Sequence, residues 1–170
     1  MTYGRVRRRG VICQTWLQLF AGIALAPKAG AWSICRTKSR CYFESASDYL
    51  AQSDKSWDAM HRTLADGELT WEGGDYPLNH TVLAGKLLYT GDDYIMSLKT
   101  PAQVKDVAAA LAGLDEAEFH RRYARIDIAS YDGQVGDEDF GYTWDRFQDV
   151  RRLYQRAAVE GRYVLFTADQ

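Results

Sequence analysis

The chain has 170 residues, of which 46% are hydrophobic and 13% aromatic, and this composition excludes a disordered polypeptide and suffices for one domain with a buried core. Its formal net charge of −2 hides an uneven distribution. Residues 1–43 contain eight basic residues and no acidic one, whereas residues 44–170 contain 13 basic and 23 acidic residues, a net charge of −10. With this net charge, residues 44–170 are a poor surface for nucleic acid and suit a basic protein partner.

The basic segment, residues 1–43, allows three interpretations. The arginines of residues 5–9, the apolar run of residues 11–26 and an Ala-Gly-Ala sequence at residues 29–31 are typical of a secretory signal peptide. The alternatives are a misassigned start or shifted reading frame, and an ordinary cytosolic N-terminus. Polar residues interrupt the apolar run, which is too short to predict a membrane span, so we expect no membrane partner. The segment also holds three cysteines, whose odd number and spacing predict neither a disulfide framework nor a zinc site: Cys13, Cys35 and Cys41.

In the domain predicted at residues 44–170, the most strongly patterned helix is expected at residues 53–64. Four residues spaced i, i+3, i+4 and i+7 predict a stripe that packs inward: Trp57, Met60, His61 and Leu64. Arg62 lies outside this stripe, Ser53 is expected to cap the helix, and Gly67 to end it. We expect a short helix at residues 45–51 before it.

The histidine on the inward stripe has two interpretations. It is either a general base or ligand lining a pocket, or a core imidazole that bonds a backbone carbonyl. In the first case Asp58 or Asp54 would orient the ring and Trp57 would form an apolar wall, so the candidate ligand-binding pocket comprises Asp54, Trp57, Asp58 and His61. The sequence contains no complete catalytic constellation and no metal-ligand spacing. Catalytic residues therefore stay unassigned, and we predict no metal and no other cofactor.

Short elements are expected in the middle of the chain. Residues 70–76 predict a loop, whose two glycines lack the flanking strand and helix of a phosphate cradle. Residues 77–84 predict a short helix with Pro77 in its first turn and His80 facing solvent. Two apolar segments on either side of a Thr-Gly-Asp-Asp turn predict a β-hairpin: residues 86–89 and 94–98.

The C-terminal half predicts helices followed by a final strand. Thr100 and Gln103 form a capping box around Pro101, and Asp115 caps the next helix. Further along, the patterns predict a short strand, a long helix ended by Gly161, and a buried strand, at residues 126–128, 143–160 and 163–167 respectively. Together these elements predict an α+β fold in which several helices pack on a small mixed β-sheet.

Several motifs occur in a distinctive order between residues 51 and 167. They are Asp54-Lys55-x-Trp57-x-x-Met60-His61, Pro77-Leu78-x-x-x-Val82-Leu83 with Gly85, the helix starts at Thr100-Pro101 and Leu114-Asp115-Glu116, and the Tyr154 helix before the last strand. This order and spacing resemble the YfbM-like family of bacterial proteins of unknown function. The resemblance implies a cytosolic single-domain α+β fold without an established activity. It also implies that Asp54, Trp57 and His61 belong to the family pattern.

Two regions depart from that pattern. Members of the family usually open with a short strand and an acidic helix, where this chain has its basic, cysteine-containing segment. They also carry a proline-containing stretch where this chain has Ala129-Ser130-Tyr131-Asp132.

These observations lead to two functional hypotheses. The first is an acidic protein-binding module with a basic protein partner, and its most concrete form is an immunity-type antagonist of a bacterial toxin. The alternative is a small hydrolase or ligand-binding protein with a pocket around Asp54, Trp57 and His61. Nucleic-acid binding is not expected, because acids surround the arginines. We expect a cytoplasmic protein, or an exported one if residues 1–31 are a signal peptide.

Overall fold

The structure is a computed structural model, and it describes residues 22–26, 49–89 and 93–169. Its strands are β1 (Gly22–Ala26), β2 (Leu50–Gln52), β3 (Lys86–Leu87), β4 (Tyr94–Lys99) and β5 (Tyr163–Asp169). They form one sheet in the order β2-β1-β5-β4-β3, and each of its pairings is antiparallel. The predicted α+β class is confirmed, although the described sheet is antiparallel and not mixed.

Strand β5 lies at the centre of the sheet. It pairs with β1 on one side and β4 on the other, and Phe166 stands opposite both Ile23 and Ser97. Val164, Phe166 and Ala168 alternate along the strand and are fully buried, as a period of two requires for one face on the core. The strand predicted at residues 163–167 is therefore confirmed.

Strand β1 comes from the segment that the sequence analysis separated as residues 1–43. It pairs with both β2 and β5, and Ile23 is fully buried. The sheet thus reaches upstream of residue 44, because the apolar Gly22–Ala26 run is taken up as a strand. The three cysteines and the remainder of the proposed signal peptide lie outside the described residues. The helix expected at residues 45–51 is wrong where the structure describes it, since Leu50–Gln52 is strand β2.

Within the described ranges, four α-helices accompany the sheet: α1 (Ser56–Leu64), α2 (Pro101–Ala112), α3 (Glu116–Tyr123) and α4 (Asp137–Glu160). The predicted caps of α2 and α3 are confirmed, because Thr100 and Gln103 form a capping box and Asp115 accepts a bond from the Glu118 amide. Helix α4 ends as predicted, with Gly161 in the left-handed region at φ 63°. It begins six residues earlier than expected, which brings Phe140 into contact with the core.

Helix α1 begins three residues later than predicted. The amide and the hydroxyl of Ser56 both donate to the Ser53 carbonyl, so Ser53 closes a turn and its side chain does not cap the helix. Asp54 within this turn has φ 43°, a conformation that Asp tolerates better than most residues. The chain thereby passes directly from β2 into α1.

Two further predicted elements are wrong in type. The helix expected at residues 77–84 is only a short 3-10 helix, Leu78–Thr81, and the strand expected at residues 126–128 is a turn after α3. His80 is half-buried, where a solvent-facing side chain was expected. The inward stripe of α1 joins residues from α2, α4 and β5 in one core, which includes Met60, Leu64, Val104, Val107, Phe147, Val150, Tyr154 and Phe166.

Candidate functional site

The four candidate pocket residues lie on one short stretch, but their side chains have different partners. Asp54 accepts a hydrogen bond from the Tyr142 hydroxyl at 3.0 Å, which ties the turn before α1 to α4. The Trp57 ring is half-buried and packs 5.7 Å from the Phe166 ring, measured between centroids. These two residues therefore join α1 to its neighbours.

Asp58 forms an ion pair with Arg62 one turn later. The Arg62 Nε donates to an Asp58 carboxylate oxygen at 2.5 Å. Burial nevertheless raises the pKa of Asp58 above its ordinary value, against the lowering effect of Arg62 and with small contributions from the charges of Asp132 and Asp139. The bond to the guanidinium turns the Asp58 carboxylate toward Arg62.

His61 is fully buried, and its described partner is a backbone carbonyl. Its Nε2 lies 2.9 Å from the Thr70 oxygen, and because a carbonyl can only accept, Nε2 carries the hydrogen. Nδ1 is buried and has no hydrogen-bond partner among the residues that the structure describes. Burial lowers the pKa of His61 to about 4, so the ring is neutral at pH 7. The arrangement is the one expected of a core imidazole tied to a carbonyl, and neither Asp54 nor Asp58 bonds the ring.

The bond from His61 fixes a loop, residues 66–76, which we call the acidic loop. Two more side chains hold it, since Asp66 accepts from the Gly74 amide at 3.2 Å and the Asn79 amide donates to the Gly73 and Gly74 carbonyls, each at 3.3 Å. Gly74 has φ 72°, and a Cβ there would lie 2.4 Å from the Ala65 Cα. Glycine is thus required where the loop passes over the end of α1.

The outer side of the acidic loop is polar and aromatic. Trp71 and Tyr76 are 41% and 50% exposed, and the acids Glu68, Glu72 and Asp75 are exposed beside them. The sequence predicts a loop at residues 70–76 but not an exposed binding surface on it. The available indication was a run of acids and aromatics without a basic residue.

Arg62 is buried, although the helical pattern predicts it outside the inward stripe. Its side chain is 3% exposed, and it donates to the Ser130 hydroxyl at 2.8 Å and to the Ser130 carbonyl at 2.7 Å. It also lies 5.5 Å from the centre of the Tyr131 ring. Arg62 therefore anchors the stretch at residues 129–132.

Next to this anchor, two phenols share one carboxylate. The hydroxyls of Tyr123 and Tyr131 both donate to Asp139, at 2.6 Å and 3.1 Å. Burial, followed by the interaction with Asp139, raises the pKa of both tyrosines well above their ordinary value. They are neutral hydrogen-bond donors that secure the start of α4.

Lys99 is fully buried at the end of β4. Its Nζ donates to the Val82 carbonyl and, at 2.5 Å, to the Ser97 hydroxyl, while the Phe166 ring lies 5.5 Å away. No ion pair between Lys99 and a carboxylate occurs within the described ranges. Burial lowers the pKa of Lys99 well below its usual range. The sequence does not predict the burial of Lys99, because an alternating strand pattern does not show which lysine other elements cover.

Two kinds of feature are absent from the described part of the chain. Within it, no group of three or more His, Cys, Asp or Glu side chains could hold a metal ion. None of the helices in residues 49–89 and 93–169 has the length and apolar character needed to cross a membrane.

Comparisons with known proteins agree with this architecture. Residues 36–167 match the model of a family described as a domain of unknown function, DUF1877. Among solved structures, the chain is similar to a protein of unknown function, YfbM from Escherichia coli, with a TM-score of 0.62 and 18% identity over 88% of this chain and 99% of the other. The resemblance to YfbM-like proteins is confirmed, and at this identity the likeness shows the fold alone. A comparison with curated proteins finds no match.

Proposed function

The chain belongs to the DUF1877 family, whose description assigns no activity, and we propose that this member is an acidic protein-binding module whose partner is a basic protein. The observation that carries the proposal is the distribution of charge between the interior and the surface. Residues 44–170 have 13 basic residues, and two of them, Arg62 and Lys99, are buried. Burial removes these two cations from the surface of residues 44–170, so the exposed side chains of this part of the chain carry a larger excess of acids than its sequence count.

Surface arginines reduce this excess of acids only locally. Arg121 and Arg122 pair with Glu118, Arg152 pairs with Asp149, and Arg162 pairs with Glu160. Other acids, such as Glu68, Glu72 and Asp75, form no ion pair within the described ranges. Negative potential of this kind attracts a basic partner over distances of about 10 Å at moderate salt and raises the association rate.

An immunity-type antagonist of a bacterial toxin is the most concrete form of this function. Small acidic proteins that block a basic toxin share this charge profile by analogy. It predicts that the partner is toxic when produced alone and harmless when produced together with this chain.

A pull-down with the full-length tagged chain tests the proposal. The bait is exposed to lysate of its native host at about 0.15 M salt, the salt is raised in steps, and retained proteins are identified by mass spectrometry. We expect one basic protein in stoichiometric amount, released as the salt rises. A bait that retains no basic protein contradicts the proposal.

A ligand-binding or hydrolytic role remains the second candidate, and one observation favours it. His61 is neutral and has a buried Nδ1 without a hydrogen-bond partner among the described residues, and this nitrogen can accept a hydrogen bond. A small molecule that binds there should raise the thermal midpoint of the wild-type chain and leave that of His61→Gln unchanged. Equal shifts in both proteins would place the ligand elsewhere.

A further inference from the structure

We infer that the acidic loop is the surface that receives the partner, and that the partner contributes a lysine- or arginine-rich segment to it. The inference rests on the protein-binding function proposed above and adds a location and a chemistry to it. Three properties of the loop carry it: its charge, its exposed aromatic rings and the bonds that hold it in place.

The charge of the loop is wholly negative. Residues 66–76 contain four acids and no basic residue, and the next charged residue after Asp75 is Lys86. Asp66 is occupied in bonding the loop backbone, whereas Glu68, Glu72 and Asp75 are exposed and form no ion pair in the part of the chain that the structure describes. Three carboxylates are therefore available to a cationic partner.

The aromatic rings give the loop its contact area. Trp71 and Tyr76 are about half exposed although both are large side chains, and Tyr76 is held by a 2.5 Å bond from its hydroxyl to Asp106 and by an edge contact with the His80 ring. Tryptophan and tyrosine are enriched among the residues that dominate binding energy. Their faces also attract ammonium and guanidinium groups, which suits the same partner as the carboxylates do.

Hydrogen bonds from three side chains hold the acidic loop in place. His61 fixes the Thr70 carbonyl directly before Trp71, Asn79 fixes the Gly73 and Gly74 carbonyls, and Asp66 fixes the Gly74 amide. An ordered loop loses little conformational entropy on binding, so more of the contact energy appears as affinity. His61 acts in this arrangement as a positioning residue beneath the surface.

Variants of the full-length chain in the same lysate pull-down test the inference. Trp71→Ala and Tyr76→Ala each remove an anchor, and Glu72→Lys combined with Asp75→Lys reverses the charge of the loop. Matched controls lie outside the loop, with Ile128→Ala and Val159→Ala at positions 70% and 89% exposed. The charge control is Glu138→Lys with Asp145→Lys on the exposed side of α4.

We expect each loop variant to retain the basic protein about 30-fold more weakly, the factor that corresponds to loss of one dominant anchor of about 2 kcal/mol. The controls should retain it within about twofold, and thermal melting of every variant should show an intact fold. If the wild type retains a basic protein and loop variants retain it as the controls do, the binding function stands and its location in the loop is overturned. A wild-type bait that retains no basic protein overturns both.

Discussion

The acid stability of this protein should depend on His61. Burial lowers its pKa from 6.5 to about 4, so between these values the unfolded chain binds a proton that the folded chain excludes. The free energy of unfolding is therefore highest above about pH 6.5 and falls as the pH decreases toward about 4. At about 1.4 kcal/mol per pKa unit, the full difference corresponds to about 3 kcal/mol of unfolding free energy, most of which is lost between about pH 7.5 and about pH 4.5.

Urea unfolding at these two pH values, followed by tryptophan fluorescence, measures this loss. His61→Gln keeps a donor for the Thr70 carbonyl but does not titrate, so its free energy of unfolding should fall by about 2–3 kcal/mol less than that of the wild type. His120→Gln, on an exposed position of α3, is the control and should keep the wild-type pH dependence. If wild type and His61→Gln lose stability in parallel, the argument from burial is wrong.

Three further predictions concern buried or constrained positions. Lys99→Met should raise the free energy of unfolding at pH 7, because only the unfolded chain binds the lysine proton readily and this binding favours unfolding. In the wild type this free energy should rise as the pH increases toward about 10.4, the ordinary pKa of a lysine in an unfolded chain, and the substitution should abolish that rise. Urea unfolding from neutral to alkaline pH measures both effects. Arg62→Ala should cost about 3 kcal/mol in the same assay, because it leaves the Asp58 carboxylate without its partner and releases the 129–132 stretch, and Arg62→Lys should cost less. Gly74→Ala should lower the free energy of unfolding by more than about 1 kcal/mol, because Gly74 has a positive φ and lies close to the Ala65 backbone. Gly141→Ala within α4 should raise it by about 0.5–1 kcal/mol, because a Cβ there meets nothing within 4 Å. The melting temperatures of the two variants should therefore shift in opposite directions.

Local features of the fold were predictable from the sequence. The caps at Thr100 and Asp115 involve residues three positions apart, so the amino-acid types alone determine them. The inward position of His61 follows from the 3.6-residue period of α1. Its two possible roles could not be separated, because the Thr70 carbonyl that it binds reaches it only through the path of the acidic loop.

Features that depend on docking were not predictable. Arg62 is buried because the stretch at residues 129–132 covers it, and Lys99 is buried because the Val82 backbone and the Phe166 ring surround it. The sequence alone does not distinguish these two residues from arginines and lysines on the surface. The start of α1 differs for a similar reason: Ser53 resembles a cap, but strand β2 continues to Gln52 and requires a turn before the helix.

The position of β1 determines which shortened forms of this protein keep their sheet. Strand β1 has five residues and lies between β2 and β5 in the sheet. In the sequence, 23 residues separate the end of β1 at Ala26 from the start of β2 at Leu50. A chain that starts at residue 44 would lose this strand and leave two facing rows of unpaired amides and carbonyls, about 9.6 Å apart, which is twice the strand spacing. A strand from another molecule can pair with these two exposed strand edges. Shortened chains should therefore exchange strands or associate, and their aggregation would report the missing strand and not a property of the intact protein.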